Sequence, residues 1–93
     1  MRITVEIPPM LRDYCNQRDE ISVAATTVQA ALSELKQSYP DVYLGVCDET
    51  GSVRRHIHLF VNSQFVAVRD PLTLQTKLKS GDVLSIWTAV SGG

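Results

Sequence analysis

Apolar and polar side chains alternate along several short stretches of the chain, beginning with its first residues. Between residues 2 and 7, one side of the alternation is entirely apolar and β-branched, with Ile3, Val5 and Ile7. Successive side chains of a strand point to opposite faces, so this stretch predicts a half-buried strand that ends at Pro8-Pro9. The same period at 20–23 predicts a shorter second strand, and the loop between the two is expected to close a hairpin.

A helical period replaces the alternation in the next segment. Apolar residues recur there at the i, i+3, i+4 and i+7 positions of one helix face, at Val28, Ala31, Leu32 and Leu35. Thr26 and Gln29 have the spacing of a capping box, which predicts that Thr26 caps the start of the helix. Pro40 predicts that the helix ends near Ser38 or Tyr39, because a residue before proline disfavours helical geometry.

The second half of the chain predicts three more strands. The pattern weakens between residues 41 and 53, where Asp48 to Ser52 is expected to be a loop. Leucines after Pro71 favour a helical turn, and Gly81-Asp82 predicts a turn before the last strand. The predicted strands lie at 56–61, 65–68 and 83–88, the second following a turn at 62–64.

Two strands, one helix and three further strands are the elements of an α+β fold. We expect a roll in which one main helix packs on one face of a mixed sheet of four to five strands. The first and last strands carry the densest apolar alternation, so they are expected to lie side by side at its centre. In this interpretation, residues 1–88 form one domain and residues 89–93 form a flexible C-terminal tail that ends in Gly-Gly.

Composition and charge are those of an ordinary globular domain. The 93 residues suit a single domain, and nine basic against ten acidic residues give a net charge of −1. This balance argues against binding nucleic acid through bulk positive charge. No apolar stretch approaches the roughly 20 residues of a membrane span, and the first residues lack the apolar run of a secretion signal. The protein is therefore expected to be cytoplasmic.

The candidate metal ligands and nucleophiles are too few to indicate an enzyme that acts alone. Cys15 and Cys47 have no partner at metal-binding spacing and are expected to be small, semi-buried thiols. His56 and His58 lie on one face of a predicted strand, but no third ligand accompanies them, so no metal site is predicted. The sequence has no phosphate-binding motif, and the chain is not expected to bind a cofactor itself.

Two aromatic residues lie out of phase with the buried alternation of their strands. Phe60 and Trp87 would both point to the sheet face opposite the helix if the third and last strands are neighbours. We expect this face to contact a partner protein together with His58 and Arg55. In the alternative, either ring fills a gap under a loop and Arg55 is a solvated loop charge.

The C-terminus is the most informative part of the sequence, because Gly92 and Gly93 follow almost directly on a predicted strand. Three other segments stand out with this ending (AVSGG, 89–93), namely RITVEIP at 2–8, HIHLFVN at 56–62 and GDVLSI at 81–86. Together they resemble the ThiS/MoaD-like sulfur carriers, nearest to the CysO and long MoaD-type branch. The resemblance covers nearly the whole chain and implies the ubiquitin-like β-grasp fold.

In that family the C-terminal carboxylate is the reactive group, so the resemblance implies a protein carrier and not an enzyme. It implies that a separate adenylating enzyme uses ATP to activate the Gly93 carboxylate, and that a sulfur donor converts it to a thiocarboxylate. Gly92 and the tail residues Ala89, Val90 and Ser91 would enter the partner enzymes. A sulfur-accepting enzyme would then make cysteine, molybdopterin, thiamin or a related product. For molybdopterin, the chain would be the small subunit of the synthase.

Two other functions remain open at this point. The chain is a ubiquitin-like modifier if Gly93 forms isopeptide bonds with lysines, in which case larger adducts carry a Gly-Gly remnant. It is a plain β-grasp interaction module, with an incidental tail, if full activity survives the removal of Gly92 and Gly93.

Overall fold

The structure, a computed structural model, describes residues 2–88, and a mixed five-stranded sheet forms its frame. The strands are β1 (Arg2–Glu6), β2 (Glu20–Ala24), β3 (Ile57–Val61), β4 (Gln64–Val66) and β5 (Val83–Thr88). They lie in the order β2-β1-β5-β3-β4, with β1 and β5 parallel and all other neighbours antiparallel. The α+β class is confirmed, and the first and last strands are neighbours at the centre of the sheet as expected.

Helices cover one face of this sheet. The two α-helices are α1 (Val28–Ser38) and α2 (Pro40–Val46), and short 3-10 helices span Pro9–Cys15 and Thr73–Gln75. The apolar stripe predicted for the first helix is the buried side of α1, because each of its four residues is at most 2% exposed. Among residues 2–88, no helix is long and apolar enough to cross a membrane.

One apolar cluster fills the space between the helices and the sheet. Val5, Leu84 and Leu59, from three neighbouring strands, have no exposed area in this cluster. Burying a side chain of this kind contributes about 1.5–3 kcal/mol to stability, so the cluster fixes which face of the sheet turns inward. Alternate residues of the same strands must then point to the opposite face, which the helices leave open.

The residue that caps α1 is Thr27, and the prediction of Thr26 is wrong by one position. Thr27 is extended, with φ −141° and ψ 165°, and its side-chain oxygen accepts a hydrogen bond of 3.0 Å from the Ala30 backbone N–H. A capping box needs Glu or Gln three residues after the cap, where this chain has Ala30. The cap therefore consists of the Thr27 side chain alone, and Gln29 forms no capping box. The helix ends at Ser38, as predicted from Pro40.

The second helix, α2, was not predicted, because it lies where the sequence pattern is weak. The expected single main helix is therefore one of two α-helices. Pro40 ends α1 but is also the first residue of α2, a position that suits its fixed φ and needs no backbone N–H donor. The helix has two turns, and its buried residues Val42 and Val46 give only one helical repeat. One repeat is too short a pattern to distinguish a helix from a loop. The 3-10 helix at Pro9–Cys15 was missed for the same reason.

The strand expected at 65–68 begins and ends earlier in the structure, at Gln64 and Val66. Asn62 and Ser63 both have positive φ, 48° and 75°, which is the geometry of a two-residue hairpin turn. This tight turn pairs Val61 directly with Gln64, so the strand starts one residue before the predicted position.

Both cysteines are free thiols, as the sequence predicted. With exposures of 3% for Cys15 and 0% for Cys47, they are more deeply buried than the semi-buried thiols that were expected. Burial raises the pKa of the Cys47 thiol, which keeps it in its unreactive protonated form at neutral pH. Within residues 2–88, no group of three or more His, Cys, Asp or Glu side chains is placed to hold a metal ion.

Candidate functional site

The open face of the sheet presents one row of side chains that crosses all five strands. The strand register sets this row, because Glu6 pairs with Glu20 and with Ser85, while Phe60 pairs with Ser85 and with Phe65. The row therefore runs Glu20, Glu6, Ser85, Phe60, Phe65. It is acidic on β2 and β1, and aromatic on β3 and β4.

Four ring side chains form an aromatic patch (His58, Phe60, Phe65 and Trp87) on this face. Phe60 lies at its centre, with ring centroids 5.9 Å from Trp87 and 5.7 Å from Phe65, both in edge-to-face geometry. His58 pairs with Trp87 across β3 and β5, and its ring lies 6.1 Å from that of Phe65. The expectation that Phe60 and Trp87 share the face opposite the helices is confirmed.

The aromatic patch is open to solvent. Trp87 is 60% exposed and Phe65 is 61% exposed, while Phe60 is half-buried between them. Trp87 is too exposed to fill a gap under a loop, and the half-buried Phe60 packs against the rings of Trp87 and Phe65. Exposed apolar side chains that form a contiguous patch, rather than being scattered singly, mark interaction surfaces.

Phe65 was missed as a site residue. Its strand is only three residues long, so the sequence alternation did not show which way the ring points. The signal that would have found it is the two-residue turn at Asn62-Ser63, which places Phe65 opposite Phe60.

The acidic end of the same face consists of Glu6 and Glu20, and Asp19 lies beside them in the adjoining groove. The Ser85 hydroxyl donates a hydrogen bond to the Glu6 carboxylate, and Ser85 is buried although it lies on the open face. Glu6 is therefore held in place beside the aromatic patch. The three carboxylates line a groove of about 350 Å³ that also reaches Trp87.

Thr88 is the last described residue, and two grooves meet beside it. The groove at the acidic end is one of them. The other, of about 520 Å³, has an apolar lining that includes the exposed side chains of Met10, Tyr14 and Leu44. The predicted tail, with its site residues Ala89, Val90, Ser91, Gly92 and Gly93, lies outside the described residues. Thr88, the residue that precedes the tail, therefore lies between these two grooves.

Arg55 and His58, the other predicted site residues, lie together, and His56 lies apart from them. Arg55 lines a groove with His58 and Phe65, so it lies at the β4 edge of the aromatic patch. His56 precedes β3 and lines the apolar groove beside Thr88 instead, which separates it from His58. The two histidines therefore do not form a common site.

The comparisons with known proteins agree with one another. A family model described as the ThiS family matches residues 8–93. The chain is 30% identical over 95 aligned positions to the sulfur carrier protein CysO of Mycobacterium tuberculosis, and the match covers all of both chains.

Solved structures show the same fold. CysO in the BexX/CysO complex of Amycolatopsis orientalis is 27% identical, with a TM-score of 0.82 over 98% of this chain and 99% of that one. SAMP1 from Haloferax volcanii is 23% identical, with a TM-score of 0.81 over the full length of both chains. The expected ubiquitin-like β-grasp fold is confirmed.

Proposed function

This chain belongs to the ThiS family, and we propose that it is a sulfur carrier protein whose C-terminal carboxylate is activated by another enzyme and converted to a thiocarboxylate. The observation that carries the proposal is the family match, which includes the final Gly92-Gly93. The exposed aromatic patch beside the strand that leads into the tail supports it, because a carrier must be recognised by an enzyme that takes its terminus.

The chemistry takes two displacement steps. A carboxylate oxygen of Gly93 attacks the α-phosphorus of ATP in the adenylating enzyme, pyrophosphate leaves, and an acyl-adenylate forms. Hydrosulfide then attacks the acyl carbon and loses its proton, and AMP leaves with the oxygen that it received from the carboxylate. The net change on the carrier is the replacement of one oxygen by sulfur, which gives a thiocarboxylate nucleophile. ATP belongs to the partner enzyme and not to this chain.

The length and composition of the tail suit this role. The five residues after Thr88 reach about 16–18 Å when extended, enough to cross a channel into a site that already holds ATP. A Cβ atom at either of the last two positions would narrow that channel. Glycine also adopts any backbone geometry that the approach to the phosphates requires.

The aromatic patch is large enough to offset the cost of ordering the tail. Fixing five residues costs about 1–2 kcal/mol each, or roughly 5–10 kcal/mol in all. Trp87 and Phe65 each leave about three-fifths of their area exposed. Covering that area at about 25 cal/mol/Å² returns roughly 2–4 kcal/mol from each ring, so that the two together approach the cost. The patch is therefore a suitable docking surface for the adenylating enzyme.

A relative supports the idea of a protein partner, since A. orientalis CysO has been crystallised in a complex with BexX. The product that receives the sulfur from this chain is a separate question, for which cysteine, molybdopterin and thiamin are the candidates. The identity of the accepting enzyme decides among them.

The proposal is tested by deleting Gly93. The chain is incubated with the adenylating enzyme of the same organism, ATP and sulfide, and its intact mass is measured. We expect the full-length chain to gain the mass of the oxygen-to-sulfur replacement, and the shortened chain to gain none while it keeps the same urea unfolding midpoint. A chain lacking Gly93 that still accumulates thiocarboxylate would disprove this role. Adducts carrying a Gly-Gly remnant, without any thiocarboxylate, would identify a protein modifier instead.

A further inference from the structure

Charge is distributed unequally across the open face of the sheet. The acidic end lies on the β1–β2 side, with Glu6 and Glu20 paired directly across the two strands. At the opposite, β4 edge, two guanidinium groups line the groove beside the aromatic patch, those of Arg55 and Arg69. We call these two residues the basic edge.

The two charged regions are too far apart to neutralise each other. Neighbouring strands are 4.7–4.9 Å apart, so the four spacings between Glu20 and Phe65 amount to roughly 19 Å. This exceeds the Debye length of about 8 Å at physiological salt. A partner that covers the face therefore meets negative charge at one side, aromatic rings in the middle and positive charge at the other.

Two arginines on this side of the sheet donate hydrogen bonds elsewhere. Arg12 lines the same groove, but its Nε donates to the Ile7 carbonyl at 3.0 Å. Its single positive charge is also smaller than the combined charge of the three carboxylates in that groove. Arg2 lies on the open face at the far end of β1, where its Nε donates to the Ser22 hydroxyl at 2.9 Å. The Ser85 hydroxyl meanwhile fixes the Glu6 carboxylate.

We propose that this unequal charge orients the carrier on its adenylating enzyme, an inference that rests on the proposed function. The enzyme surface that fits has an apolar centre for the aromatic patch, a cationic side chain facing Glu6 and Glu20, and an anionic side chain facing Arg55. Aromatic contacts alone hold the face in either direction, whereas complementary charges penalise the reversed one. Orientation matters because the tail leaves from Thr88, beside Trp87, and a reversed carrier directs it away from the ATP site.

A second copy of this chain is the competing occupant. In a two-fold dimer, the acidic end of one copy would face the basic edge of the other. The position of Thr88 favours the enzyme, because a partner that receives the tail has to lie beside both Trp87 and the acidic end.

The test compares a Glu6→Gln/Glu20→Gln variant with a Glu49→Gln control. Glu49 is exposed on the helical side of the molecule, where it lines a groove with Lys36 and Tyr43. Carrier concentration and ionic strength are varied while the adenylating enzyme forms thiocarboxylate. We expect the double variant to raise KM about tenfold at low salt with kcat unchanged, and to make KM less dependent on salt. Glu49→Gln should behave like wild type.

Further measurements separate the possible outcomes. Glu20→Gln alone leaves the Ser85–Glu6 hydrogen bond intact, so a rise in KM for this variant does not reflect a change in folding. Suppose that KM and its salt dependence are unchanged in the double variant and in Glu20→Gln, while Trp87→Ala raises KM. That result would overturn the orientation inference and leave the proposed function standing. The orientation inference would also be overturned if the wild-type chain formed a dimer that dissociates in added salt or as a result of the Glu6→Gln/Glu20→Gln substitutions. Absence of thiocarboxylate on the wild-type chain would instead count against the proposed function.

Discussion

Thr27 caps the start of α1, because its hydroxyl satisfies the otherwise free N–H of Ala30. Thr27→Ala should lower the free energy of unfolding by about 1 kcal/mol. Thr26→Ala is the matched control, since the Thr26 side chain is exposed and lies outside the cap, and it should cost little. Urea unfolding of both variants checks the assignment. Equal losses, or a larger loss for Thr26→Ala, would show that the cap is misplaced.

Asp82 makes the stability of the protein depend on pH. Its carboxylate accepts hydrogen bonds from the Lys79 backbone N–H at 2.8 Å and from the Asn62 side chain at 3.0 Å. These bonds, the first above all, hold the pKa of Asp82 below its ordinary value. Since the pKa is lower in the folded state, the contribution to stability is complete above about pH 4–5 and is lost as the pH falls through the folded pKa.

We therefore expect the urea midpoint to fall on acidification below about pH 5, and Asp82→Asn to show a smaller fall from a lower starting value. Asp48, whose pKa is lowered chiefly by its hydrogen bond with the Thr50 side chain, accounts for a further part of the wild-type change. Parallel pH profiles for wild type and Asp82→Asn would contradict this role.

At the scale of elements, the pairing of β3 with β5 creates the aromatic patch on a surface that contributes little to the core. Trp87 is 60% exposed and contacts Phe60 edge to face, an interaction worth about 0.5–1.5 kcal/mol. Trp87→Ala should therefore lower the free energy of unfolding by less than about 2 kcal/mol, yet raise the KM for the adenylating enzyme at least tenfold.

Leu72→Ala is the control for this prediction. Leu72 is also an exposed apolar residue, at 81%, but it lies next to the 3-10 helix that contacts α1 and not on the open face. It should change neither stability nor KM. A large loss of stability in Trp87→Ala, with normal kinetics, would assign the ring to structure and not to docking.

Elements with a long repeat of pattern were predictable from the sequence, and those without one were not. The six residues of β5 and the eleven of α1 carry several periods each, so their bounds agree closely with prediction. α2 and the 3-10 helix at Pro9–Cys15 carry one period or none. They form because tertiary contacts bury Val46 and Leu11, and no local pattern records those contacts.

For the molecule as a whole, the order of elements and the central pair of strands were enough to predict the fold class. The candidate site was predicted only in part. Phe60 and Trp87 share a face because β3 and β5 are neighbours. From the sequence, this pairing of strands could only be assumed. The charge distribution from Glu20 to Arg69 could not be predicted, because it depends on the register of all five strands at once.

The intact mass of the protein purified from its own cells tests the central claim most directly. We expect a species heavier than the unmodified chain by the replacement of one oxygen with sulfur, with the change confined to the C-terminal peptide that contains Gly93. The opposite result is a chain that is found only at its unmodified mass and gains no sulfur from its adenylating enzyme, ATP and sulfide. That result would contradict the assignment of this protein as a sulfur carrier.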